Sequence, residues 1–234
     1  MEKTFKFYNV IFALLLSVAL FHSFANAKEV GGVGLSASRV ITSPQEKQAT
    51  LNVRNTSQDR YFLVQSWVEN FQRQKVNDFI ITPPLFVIKP RNENALRIVN
   101  AGAQLPADRE TLYWVNVKAI PSSKEDATKN TLKIAIQNRI RLLVRPNDLP
   151  VKVADAPNML HFKRSGNTLI VTNPSPYYLS LVNFHVGSVK LDSTTIAPLQ
   201  ETRLDLPPAT QGTAVSYQTV DDYGSNTPEI RSSL

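Results

Sequence analysis

Fifteen prolines cut a chain that contains no cysteine into short apolar runs, and this punctuation constrains the fold more than any other feature. Proline removes a backbone donor, so it belongs at strand ends, edges and turns rather than inside a ladder. Between the prolines and the Ser, Thr and Asn clusters, apolar and polar residues alternate. Thr50 to Arg54 places Leu51 and Val53 on one face, and Leu63 to Val68 alternates around Trp67. Ala95 to Val99, Leu112 to Ile120, Leu169 to Thr172, Leu179 to Val186 and Ala214 to Val220 read as further strands. Beyond residue 27, no stretch of ten or more residues keeps a 3.6-residue period. Many short strands at this spacing predict an all-β chain of antiparallel sandwiches. Without disulfides, such domains rest on packing alone.

The first residues predict export. A short charged start with Glu2, Lys3 and Lys6 precedes an apolar run from Val10 to Phe24, and Ala25-Asn26-Ala27 follows with small residues where a signal peptidase reads. This order is that of a secretory signal peptide, with cleavage after Ala27. The run is shorter than the ~20 residues needed to cross a bilayer, so no membrane insertion is expected after cleavage. Removal of 1–27 lowers the net charge of +7 by one, a balance that favours anionic partners. Arg145-Pro146-Asn147-Asp148-Leu149-Pro150 brackets polar residues with two prolines. It predicts one domain over 28–147 and a second over 148–234.

Several chemistries have no support. His161 and His185 lie at no metal-ligand spacing, so neither a metal nor a cofactor is expected. Nucleophile elbow, P-loop and dinucleotide fingerprints are missing, and the chain reads as a non-enzyme. Adjacent Asp221 and Asp222 make a poor acid/base pair on a strand, where they point to opposite faces. The aromatics follow strand alternation rather than a basic stripe, so nucleic acid is not an expected partner. Asn55-Thr56-Ser57 fits a glycosylation acceptor but reads more simply as a turn between strands.

Thr131 to Arg145 is the most informative segment and reads as the longest strand, about 15 residues against the usual 3–10. Its even positions include Leu132, Ile134, Ile136, Ile140, Leu142 and Val144. Arg139, Arg141 and Arg145 lie at odd positions. Two readings stand on these residues alone. The strand is core and its arginines are paired or solvated, or it projects to complete a partner's sheet by β-augmentation while an arginine captures a carboxylate. In a regular strand the apolar row and Arg141 face opposite ways. A bulge or strong twist intervenes, or the cleft wraps around the strand end.

The stretch from Leu105 to Pro121, with Asp108-Arg109-Glu110-Thr111-Leu112-Tyr113-Trp114-Val115-Asn116-Val117 at its centre, resembles the signature of periplasmic pilus-assembly chaperones. Gln137 to Pro146 resembles the long last strand of their first domain. Asn173-Pro174-Ser175-Pro176-Tyr177-Tyr178 and Asp222-Tyr223-Gly224 resemble markers of the second, and Thr82-Pro83-Pro84 resembles the proline turn where a cis bond occurs. The resemblance runs in order over the chain beyond the leader. It implies two immunoglobulin-like sandwiches set at an angle around a cleft, and an ATP-independent periplasmic chaperone that donates a strand to pilus subunits and passes them to an outer-membrane usher. It also implies that Arg39, on the first strand, and Arg141, where lysine is usual, grip the subunit's C-terminal carboxylate. Leu132, Ile134 and Ile136 would fill the subunit's groove; Glu110, Arg145 and Asp222 would tie the domains, leaving Arg139 solvated or in a supporting role. The short loop from Ser122 to Asn130 resembles that of the branch serving rod-like or multi-subunit pili. Self-association would hide the apolar strand of the empty protein. The rival reading is an exported immunoglobulin-like adhesin or carbohydrate-binding module, which would show aromatic platforms and need no arginine cleft.

Overall fold

The computed structural model describes residues 31–122, 132, 134–208 and 210–234. The leader 1–27 and most of the loop at 122–130 lie outside the described residues, as does Thr131. Seventeen strands are present among the described residues, with one 3-10 turn at Ala156–Met159. The all-β expectation holds, and the strands divide between two sandwiches.

In the first sandwich, β1 (Val33–Leu35), β3 (Ala49–Asn55), β7 (Glu93–Asn100) and β5 (Phe79–Thr82) form a four-stranded sheet in the order β1-β3-β7-β5. Facing it, β2 (Arg39–Thr42), β9 (Ile136–Val144), β8 (Thr111–Pro121), β4 (Phe62–Glu69) and β6 (Leu85–Ile88) run in the order β2-β9-β8-β4-β6. Alternation turns one residue in two inward. Leu51 and Val53 from β3, Leu96 and Ile98 from β7, Val64 and Val68 from β4, Val115 and Val117 from β8, and Leu142 and Val144 from β9 share one core. Each fully buried aliphatic side chain of this kind contributes roughly 1.5–3 kcal/mol.

The first strand expected to carry Arg39 is broken. Residues up to Leu35 pair with β3 in one sheet, and those from Arg39 pair in parallel with β9 in the other. A strand that crosses between sheets closes the sandwich at its edge and sets Arg39 directly beside Arg141 in the ladder. The long strand is also shorter than its sequence suggests. β9 begins at Ile136 and has nine residues, whereas β8 has eleven and is the longest strand. Pairing with β8 starts at Ile136↔Ala119, and Leu132 and Ile134 precede it without regular structure.

The second sandwich places β10 (His161–Ser165), β11 (Thr168–Asn173) and β15 (Gln200–Asp205) against β13 (Val189–Lys190), β12 (Leu179–Val186), β16 (Ala214–Thr219) and β17 (Ile230–Ser233), with β14 (Thr194–Ile196) also on β12. Its separate core is built around Phe184, Tyr217, Leu169, Leu181 and Ile196, and Phe162 stacks on Tyr217 at 5.3 Å between ring centroids.

One local motif occurs in both sandwiches. Asn55 and Asn173 end β3 and β11 and are fully buried. Asn55 Nδ2 donates to the carbonyls of Arg60 and Lys89, and Asn173 Nδ2 donates to those of Tyr177 and Ala197. The amides of Ser57 and Ser175 donate to the respective Oδ1 atoms at 3.0 Å. The Asn55 amide is therefore a structural strap, as the turn reading of Asn55-Thr56-Ser57 implies, and neither of its hydrogens is free for a glycan. Asn173→Ala would strand two buried carbonyls and one amide, each costing about 1–3 kcal/mol. Urea denaturation is expected to show a loss of at least ~2 kcal/mol for this variant and a similar loss for Asn55→Ala, for the same reason.

Candidate functional site: an arginine pair between the sandwiches

β9 carries its residues in a strict alternation. Its register with β8 is unbroken from Ile136↔Ala119 to Val144↔Thr111, so no bulge intervenes. Ile140, Leu142 and Val144 enter the first core, and Ile136 continues the same face beyond it, 59% exposed. Ile134 is 64% exposed and Leu132 87%, so the three residues expected to fill a groove form an open apolar stretch. Arg139 and Arg141 lie on the opposite face of β9, and Arg141 reaches from there to the second sandwich.

The arginines separate by partner. Arg145, just beyond β9, donates from Nε to Glu110 Oε1 at 2.6 Å and from Nη1 and Nη2 to the two Asp222 oxygens at 2.7 and 2.8 Å. Glu110 is 2% exposed. Its second oxygen accepts the Tyr178 amide at 2.9 Å, and its own amide donates to the Pro176 carbonyl. The predicted triplet of Glu110, Arg145 and Asp222 therefore meets in space, and it joins the two sandwiches. Burial pushes the Glu110 carboxyl up, with Arg145 pulling against it. Burial also opposes the charge of Arg145, but hydrogen bonds and charge from Asp222 and Glu110 outweigh it and raise the Arg145 pKa. Gly224 completes this junction. Its φ is +88°, and a Cβ there would come within 2.3 Å of Ser38 Oγ, so Asp222-Tyr223-Gly224 can approach the first sandwich only with glycine at its end.

Arg139 belongs to the first sandwich. Its Nε donates to Asn116 Oδ1 at 2.9 Å, and Nη2 lies 3.3 Å from Glu69 Oε2. Gln137 Nε2 donates to the same Asn116 oxygen, and Trp67 Nε1 to Glu69 Oε1. The Arg139 side chain thus stitches β9 to β8 and β4 rather than standing free in solvent.

Arg39 and Arg141 remain. They are direct neighbours on β2 and β9, and neither forms an ion pair among the described residues. Arg39 is 8% exposed. Its Nη1 donates to the Val220 carbonyl at 3.1 Å, while its buried Nε has no partner among the described residues. Arg141 Nη2 donates to Thr195 Oγ1 at 3.0 Å, its Cζ lies 5.3 Å from the Trp114 ring centroid, and its Nε is likewise buried and unpaired. Burial lowers the pKa of both. The more distant Asp222 and Asp221 partly offset this for Arg39, whereas the positive charge of Arg39 adds to it for Arg141. Of these two neighbouring arginines Arg39 is buried and Arg141 half-buried, and each keeps a buried Nε without a partner among the described residues; the planar fork of arginine suits a carboxylate. Sequence patterns did not point to Val220 or Thr195: one contributes only its backbone, and the other is an unremarked threonine in a three-residue strand.

The described residues contain no group of three His, Cys, Asp or Glu side chains placed to hold a metal ion, and no helix long and apolar enough to cross a membrane. The Thr82-Pro83 bond of the proline turn is cis.

Comparison with known proteins agrees with this geometry. Residues 32–150 match the family described as pili and flagellar-assembly chaperone, PapD N-terminal domain, and residues 155–231 match the pili assembly chaperone PapD, C-terminal domain. The chain is 46% identical over 221 residues to the probable fimbrial chaperone SfmC of Escherichia coli, covering 94% of this chain and 93% of that one. It is 42% identical over 224 residues to the chaperone protein FimC of Escherichia coli, covering 94% and 92%. Among solved structures, the periplasmic chaperone SfaE superposes with a TM-score of 0.76 at 39% identity, covering 87% of this chain and all of that one. The Salmonella enterica complex of SafA pilin with the SafB chaperone matches with a TM-score of 0.78 at 31% identity, covering 89% and 99%. The chain belongs to the PapD family of pilus-assembly chaperones.

Proposed function

We propose that this pilus-assembly chaperone holds pilus subunits through two contacts: Arg39 on β2 and Arg141 on β9 bind the subunit's C-terminal carboxylate, and Leu132, Ile134 and Ile136, at and before the start of β9, fill the groove of its incomplete sandwich. The single observation that carries this reading is the arginine couple, which has no ion pair among the described residues, together with the exposed apolar stretch that leads into β9. An adhesin or carbohydrate-binding module would leave that couple without a role.

The magnitudes divide the work. Each groove-filling side chain contributes about 1.5–3 kcal/mol on burial before ordering costs. Each charge-assisted bond to a carboxylate contributes about 1.5–3 kcal/mol. The apolar row therefore supplies much of the affinity. The arginines fix register, because a one-residue slip would turn the whole apolar row to the wrong face.

The finer assignments follow from the same reading. The leader 1–27 directs the chain to the periplasm, where domains 28–147 and 148–234 work as a binding protein rather than an enzyme. Subunits leave for the outer-membrane usher without ATP, consistent with the lack of any nucleotide-binding motif in the sequence. The exposed row favours self-association of the empty protein. Glu110, Arg145 and Asp222 hold the two domains at the spacing the arginine couple needs and take no part in binding.

Four outcomes test these roles. Arg39→Ala is expected to abolish co-purification of pilus subunits from the periplasm while leaving the circular dichroism spectrum unchanged; a normal yield of complex would sink the carboxylate anchor. Ile134→Asp is expected to end protection of subunits from periplasmic degradation, and continued protection would rule out strand donation. Arg145→Ala, which leaves the Glu110 charge buried without its partner, is expected to destabilise the protein by roughly 3–5 kcal/mol in urea unfolding. Replacing Glu110 and Arg145 together by leucine should cost clearly less than the two single losses added.

A further inference from the structure

The anchor arginines are both shaped from the second sandwich. Val220, immediately after β16, offers its carbonyl to Arg39, and Thr195, in the middle of β14, offers its hydroxyl to Arg141. Thr195 pairs across the ladder with Ser180, and its neighbour Ile196 is the residue of β14 that enters the second core. The Thr195 side chain is only half-buried and points away from that core to the guanidinium. Trp114, the register partner of Arg141 on β8, supports the same guanidinium through its ring. One arm of Arg141 is thus tied by a hydroxyl from the second sandwich while the plane is braced by a ring from the first. The untied Nε remains buried and without a partner next to Arg39.

A lysine at position 141 would carry its three donors on one freely rotating nitrogen, so a tie to a hydroxyl would not fix the directions of the others. A guanidinium offers separate donors in a fixed plane, so one can be spent on orientation and others kept for a carboxylate.

We propose that Thr195 is a positioning residue for the anchor: its hydroxyl orients the Arg141 fork, so that discrimination between a free carboxylate and a neutral chain end depends on the second domain as well as on the two arginines. This inference rests on the proposed role of Arg39 and Arg141, and its test separates the two.

The probe is a synthetic peptide copying the C-terminal strand of the subunit that co-purifies with this chain, made once with a free carboxylate and once as the carboxamide. Its binding to the full mature protein is measured by titration calorimetry. The unsubstituted protein is expected to prefer the carboxylate. Thr195→Val, which keeps the shape and removes the hydroxyl, is expected to reduce that preference roughly fivefold, within the range of one hydrogen bond. It should act on the carboxylate peptide alone, with binding of the carboxamide unchanged. Thr195→Ser should restore the preference. In an Arg141→Lys background, Thr195→Val should have no further effect on it. Equal binding of both peptides by the unsubstituted protein would overturn the anchor itself and this inference with it. A clear preference that survives Thr195→Val, or a loss shared equally by both peptides, would overturn the positioning role while leaving the anchor intact.

Discussion

The arrangement depends on one ion triplet. Arg145 sits between Glu110 of the first sandwich and Asp222 of the second, with three donors committed at 2.6 to 2.8 Å. A buried carboxylate such as Glu110 is costly unless fully paired, and here it is paired by Arg145 and by the Tyr178 amide. Satisfying that one group therefore requires the second sandwich to be docked. The docking in turn brings Val220 and Thr195 to Arg39 and Arg141.

The four arginines differ in their partners. Arg139 and Arg145 have carboxylate partners and serve structure. Among the described residues, Arg39 and Arg141 are held by a carbonyl, a hydroxyl and an aromatic ring, which orient without neutralising. Burial of like charges side by side is tolerable when an anion completes the set. The β8–β9 ladder holds Arg141 and the exposed Ile136 in one register, and exposed Ile134 and Leu132 precede it outside the ladder.

Much of the fold was legible because alternation is a direct consequence of strand geometry. The predicted runs around Leu51, Trp67, Leu96, Val115, Val171, Leu181 and Val215 all lie in strands. Short edge strands such as β6, β13 and β14 carry too few alternations to show a period. The break that sends Val33–Leu35 to one sheet and Arg39–Thr42 to the other depends on which partner strands lie within reach, and alternation is blind to that. The overlong reading of the 131–145 strand has a similar cause. Apolar alternation continues upstream of Ile136, but the β8 ladder does not follow it there. The shared strap at Asn55 and Asn173 rests on an Asn-x-Ser spacing too short to stand out as a repeat, although the serine amide donates to the asparagine Oδ1 in both sandwiches.

By itself the sequence determined the all-β class, the inward faces of the main strands, the apolar alternation upstream of Ile140 and the presence of unusual arginines beside it. These follow from residue type and a two-residue period, which are local properties. Only the tertiary structure decided which arginines are paired. Arg139 meets Glu69, Arg145 meets Glu110 and Asp222, and Arg39 meets Arg141, across separations from 35 to more than 100 positions along the chain. It also decided that Thr195 and a backbone carbonyl at Val220 accept hydrogen bonds from that couple. Charge pairing falls off over a few ångströms in space, so partners distant in sequence are chosen by how the two sandwiches dock.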